Sequence, residues 1–168
     1  MAKLTKANEY GQLELNQVAF RRDGRIIAQY KLDSGIEYVE NGMLLAIDHV
    51  NKTVKMPAEG QYTGLALNYT TEHMYDERLA YGLKHFKLDK NTFLPRLGLL
   101  ATGDRFTTNT VDCDYAAVKA GLGTKTFYGH ASTNGYIVVN ETATNAVLQV
   151  IEATTMPDGS EALKFVAL

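Results

Sequence analysis

The chain has 168 residues, 45% of them hydrophobic, and its 17 basic and 19 acidic side chains leave a formal charge of −2. That length suits one ordinary domain burying roughly 70% of its unfolded surface, and the mixed charge offers no basic stripe for a phosphate backbone, so nucleic-acid binding is not expected. A single cysteine, Cys113, rules out an internal disulfide, and no apolar run approaches bilayer length. The expectation is a protein made in the cytoplasm, without a membrane segment.

Residues 1–11 are polar and lack any period that would bury one face, so they read as a flexible N-terminal arm preceding a single domain over 12–168. Lys3 and Leu4 in that arm are candidate contacts for a partner. From Gln12, QLELNQVAF alternates apolar and polar residues, which predicts a first strand with Leu13 and Leu15 facing a core. Asp23-Gly24 then reads as a two-residue hairpin turn between apolar flanks. Arg21, Arg22 and Arg25 cluster there, read first as a solvated tip, with contact to an acidic protein partner as the functional alternative.

After the turn cluster Asp33-Ser34-Gly35, the segment IEYVENGMLLAIDHVNKTVKMP predicts two strands: the apolar run Met43 to Ile47, a polar break over 48–51, and alternation over 53–56 closed by Pro57. YTGLALNYTTE predicts another, through Leu65, Leu67 and Tyr69. Between Glu72 and Asn91 several apolar residues could share a helical face, although Gly82 weakens the pattern. Four tyrosines between Tyr62 and Tyr81 suit either packing over a sheet edge or an interface.

Phe93 to Val111, FLPRLGLLATGDRFTTNTV, joins two differently composed halves. The proline favours an extended approach, Leu97 to Leu100 reads as buried, and Gly103-Asp104 turns the chain into a threonine-rich strand. The hydroxyls of Thr107, Thr108 and Thr110 are expected on a face that meets water or another chain. Asp114 is placed to cap one helical turn over 115–120 that ends at Gly121. Strands follow over 125–130, 135–140, 146–153 and 161–168, with turns at Asn134-Gly135 and Pro157-Asp158-Gly159. The fold class is therefore mainly β: a barrel or sandwich of short antiparallel strands with one or two short helices.

No residue set specifies catalysis. His49, His73, His85 and His130 lack metal-ligand spacing. Asp112 and Asp114 bracket Cys113 and should raise its pKa, the wrong direction for a nucleophile; as calcium ligands they lack a recognised loop. Gly121 to Thr126 lacks phosphate-loop spacing and reads as a turn. Asp48, His49 and Ser132 form a hydrolase triad only by selection among many possible triples. No enzyme activity, metal or cofactor is expected.

VENGMLLAIDHVNKTVKMP followed by YTGLALNYTTE resembles the glycine-led β segments of small capsid-stabilising proteins. LPRLGLLATGDRFTTNTV is similar in style to structural proteins of tailed bacteriophages. The resemblance, covering about half the chain, is to head decoration or cement proteins. It implies a virion protein on the capsid surface whose partner is the major capsid protein, with self-association a further option and the arm ordering on the shell or on a neighbour. A tail, baseplate or head-completion component is one alternative. A small β-barrel carbohydrate-binding module or enzyme is the other, and would require a pocket of convergent polar groups.

Overall fold

The computed structural model describes residues 10–70, 86–92 and 94–168. The helical pattern expected between Glu72 and Asn91 falls largely on residues 71–85, outside the described residues, as do Lys3, Leu4, Phe93, Tyr75 and Tyr81.

The architecture is mainly β, as expected, with two mixed sheets, a small two-stranded ribbon and one short helix. The larger sheet has seven strands in the order β1 (Leu13–Gln17), β10 (Arg105–Thr108), β15 (Glu161–Ala167), β14 (Leu148–Thr155), β12 (Tyr128–Ala131), β13 (Ile137–Asn140) and β11 (Val111–Asp112). The smaller has six: β2 (Ile26–Ile27), β9 (Leu97–Gly98), β7 (Leu65–Asn68), β5 (Leu44–Asp48), β6 (Thr53–Lys55) and β3 (Lys31–Leu32). Strands β4 (Tyr38–Val39) and β8 (Leu88–Asp89) pair antiparallel as a separate ribbon. Two pairs, β11 with β13 and β3 with β6, are parallel, a departure from the all-antiparallel expectation.

Register explains the two faces of the larger sheet. Leu15, Phe106, Phe165 and Val150 lie opposite one another across β1, β10, β15 and β14, and the two phenylalanine rings stack at 5.6 Å. One residue along, Glu14, Thr107, Lys164 and Glu152 form the parallel row on the other face. The period of two thus separates a core row from a polar row. The smaller sheet is apolar on both sides. Leu44, Leu67 and Tyr69 join the core under the larger sheet, whereas Leu45, Ala66, Val54 and Leu97 pack with Val39, Phe86 and Leu88 near the ribbon. A strand buried on both faces needs the unbroken apolar run that Met43 to Ile47 supplies.

Asp23-Gly24 does turn the chain, with Gly24 at φ +68 and Arg25 N–H bonded to the Phe20 carbonyl at 2.9 Å. It is not a hairpin, because β1 pairs with β10 and β2 with β9. The turn passes the chain between sheets, and Phe20, fully buried, plugs the crossing against Tyr69 at 5.0 Å. The β5–β6 hairpin forms as expected. Helix α1 (Tyr115–Gly121) also forms where the cap placed it: the Asp114 carboxylate accepts the Ala117 N–H at 3.1 Å. Residues 122–125 close it with a turn, Thr124 and Lys125 N–H both reaching the Gly121 carbonyl.

Candidate interaction surfaces

The sheets meet along a buried polar seam that holds the root of the arm. Gln12, Glu40, Asn41, Asn68, Thr108, Asn109 and Thr110 are all buried there. Gly11 N–H donates to Glu40 Oε2 at 2.6 Å, and Gln12 N–H to Asn109 Oδ1 at 2.6 Å. The Gln12 carbonyl accepts the Thr108 hydroxyl at 2.6 Å, and the Gln12 amide donates to Asp158 Oδ2 at 2.6 Å. Glu40 Oε1 takes the Tyr136 hydroxyl at 2.9 Å, and the Glu40 carbonyl takes the Asn68 amide at 2.8 Å. A Cβ on Gly11 would stand 2.0 Å from Thr110 Oγ1 and 2.9 Å from Glu40 Oε2, so only glycine fits. Gly42, at φ +84, has the same constraint from Thr108 Oγ1 at 2.1 Å. Just outside, Tyr10 meets Tyr38 edge-on at 6.1 Å, and the Lys87 ammonium lies over both rings.

This seam corrects two expectations. The arm does not extend to residue 11, since Tyr10 and Gly11 are tied into the fold. Thr108 and Thr110 do not offer a face to another chain: both are fully buried, with their hydroxyls on the Gln12 and Asn41 carbonyls. Threonine hydroxyls satisfy backbone carbonyls that packing has cut off from water, and the sequence pattern could not distinguish that use from an exposed one. Thr107 lies on the opposite face, 6% exposed, and donates to Asn16 Oδ1 at 2.7 Å. It sits in a shallow groove of about 520 Å³ with Glu14, Glu152, Thr154 and Lys164, whose ammonium pairs with Glu152 at 3.6 Å.

The arginines separate. Arg22 is exposed and pairs with Asp23 at 2.7 Å, a contact that holds the Asp23 carboxyl below its ordinary range. Arg25 is half-buried and turns toward the buried Asp104 at 3.9 Å. Asp104 in turn accepts the N–H groups of Ala19 at 2.6 Å and Ala101 at 2.9 Å, so it fastens the crossing to the Gly103-Asp104 turn. Arg21 is exposed beside them.

The remaining chemical candidates are engaged structurally. Cys113 is 1% exposed; burial first, then Asp112 and Asp114, pushes its thiol up to about 12. His49 bonds Tyr30 at 2.9 Å through Nδ1, whereas Ser132 donates to Asn134 and the Tyr136 carbonyl. His130 Nε2 lies 2.9 Å from the Thr142 carbonyl. Among the described residues no three His, Cys, Asp or Glu side chains converge as metal ligands, and no helix is long and apolar enough to cross a membrane.

Comparison of the chain with protein-family models, curated proteins and solved structures finds no significant match.

Proposed function

We propose that this chain is a structural virion protein that seats on the outside of an assembled tailed-phage head and stabilises junctions between capsid subunits. The role is one of binding, without catalysis, and the partner is the major capsid protein. The observation that carries the reading is the seat at Gly11. Residues 1–9 are attached to a β-rich body at a root held by buried hydrogen bonds to Glu40, Asn109 and Thr108. A fixed point at Gly11 suits a lattice, because any contact that residues 1–9 make with a neighbouring site would add to that of the body once the body is bound. The polar arm, MAKLTKANE, includes Lys3 and Leu4, the residues assigned to partner contact.

Co-sedimentation of the purified protein with empty mature heads of the phage that encodes it tests the proposal. The expected result is saturable binding at a stoichiometry matching lattice positions, and failure to bind mature heads would refute it. Deleting residues 1–9 should weaken binding to heads. The deletion stops at residue 9 because Tyr10 and Gly11 belong to the folded seam. Assembly of the purified protein into rings or tubes would favour a tail or baseplate component instead.

A further inference from the structure

The tip of the β5–β6 hairpin, His49 to Lys52, departs from what such a turn needs for folding. Val50 is 91% exposed, against 53% for Tyr62, the next most exposed large hydrophobic among the described residues. Tight turns favour residues that supply positive φ or local side-chain hydrogen bonds. Valine supplies neither, and at this exposure it buries almost nothing. Lys52, at φ +51, is a second departure, since the left-handed region disfavours side chains with a Cβ.

The tip is nevertheless firmly built. One Asp48 oxygen accepts the N–H groups of Val50 at 3.1 Å and Asn51 at 2.9 Å; the other accepts the Asn51 amide at 2.8 Å and Lys55 Nζ at 2.7 Å. These contacts, led by the Asn51 N–H, hold the Asp48 carboxyl well below the usual range. Tyr30 buttresses His49 edge-on, ring centres 5.8 Å apart. An anchor presented on a preformed turn loses little conformational freedom on binding.

The charges beside the tip suggest the chemistry of its partner. Lys55 neutralises Asp48. Lys31, whose N–H bonds the Lys52 carbonyl at 3.1 Å, and Lys52 itself are exposed and have no ion-pair partner among the described residues. Asp33, bonded through its N–H to the Val54 carbonyl, adds one acidic group near Lys55, so the knob is apolar at its apex and carries two exposed lysines against one further carboxylate at its base.

We infer that the β5–β6 tip is a docking anchor that places Val50 in an apolar socket rimmed by carboxylates on the capsid protein. This rests on the decoration reading, and the test separates the two. Affinity for empty mature heads is measured for the full-length protein and for Val50→Asp, Val50→Thr and Ile151→Asp, the last altering an exposed apolar residue on β14. Burial of a valine side chain predicts a loss of about thirtyfold or more for Val50→Asp and about three- to tenfold for the isosteric Val50→Thr, with Ile151→Asp within about twofold of wild type. Thermal midpoints of the two Val50 variants should be unchanged, because the tip contributes little to the core, and the Ile151→Asp affinity is measured below that variant's own midpoint. Should Val50→Asp fail to fold, Val50→Thr decides. Wild-type affinity in both Val50 variants overturns the anchor and leaves the decoration reading standing. An Ile151→Asp loss equal to that of Val50→Asp also overturns the anchor. Wild-type protein that does not bind heads overturns both.

Discussion

Replacing Glu40 by alanine probes the seam at its centre. Glu40 is 3% exposed and takes two hydrogen bonds from distant parts of the chain, Gly11 N–H at 2.6 Å and Tyr136 O–H at 2.9 Å. Hydrogen bonds to a charged group contribute about 1.5–3 kcal/mol each, and a buried donor left without an acceptor costs about 1–3 kcal/mol. Gly11 is buried, and burial is the largest cause of the raised pKa of the Tyr136 hydroxyl, so neither donor has ready access to water once the carboxylate is gone. Removing the carboxylate also returns part of the cost of keeping a charge out of water. The balance is a net loss of about 2–3 kcal/mol for Glu40→Ala. Glu40→Gln keeps an oxygen for Gly11 and an amide that can donate to the tyrosine oxygen, so its loss is about 1 kcal/mol or less. Amide hydrogen exchange at Gly11 and Gln12 reads the difference directly. Protection at Gly11 should fall about 30- to 150-fold in the alanine variant and no more than about fivefold in the glutamine variant. Unchanged protection at Gly11 in Glu40→Ala would refute the seam as the fastening of the arm root.

Substitutions at Gly98, Asp104 and Cys113 test other joints of the fold. A Cβ on Gly98 would stand 2.6 Å from the Phe20 ring, so Gly98→Ala should lower stability by about 1–3 kcal/mol in urea unfolding, with partial recovery when Phe20→Leu is added. Asp104→Ala strips an acceptor from the Ala19 and Ala101 N–H groups and should cost about 2–4 kcal/mol, whereas Asp104→Asn should cost about half as much. Cys113 should resist a thiol reagent at pH 8 until the protein is unfolded. Its folded pKa, up to about 12, lies above the ordinary 9.0, so the unfolded chain releases the proton first. The stability it contributes is full below about pH 9 and falls as pH rises toward 12; Cys113→Ala should remove that part of the slope.

Several elements were legible from local rules. Asp114 has a side chain that can accept an N–H within its own turn, which is why the cap of α1 could be placed. Met43 to Ile47 is uninterrupted because β5 is covered on both faces. The direction of the Cys113 shift followed from its two aspartates, although burial proves to be the larger cause. Asp23-Gly24 shows where such rules stop. The dipeptide specifies a reversal of direction but not which strands pair afterwards, and here the partners are distant in the chain: Leu13 pairs with Thr108 and Ile26 with Gly98, on β10 and β9. The expectation for Thr108 and Thr110 failed for a related reason: alternation assigns residues to faces without saying which face the rest of the chain covers.

The seam had only faint signals in the sequence. Gly11, Glu40 and Asn109 are unremarkable as residue types, and no spacing links them; they become a site only when the start of β1, the β4–β5 connection and the end of β10 meet. The sequence by itself determined the β character, the turns and the helix cap, because each depends on interactions within a few residues. Tertiary structure decided the pairing of strands, the burial of Thr108 and Thr110, and the fastening of Gly11 to Glu40. Those depend on burial and on hydrogen bonds between residues far apart in the chain, where the cost of an unpaired polar group selects one arrangement among those that local preferences allow.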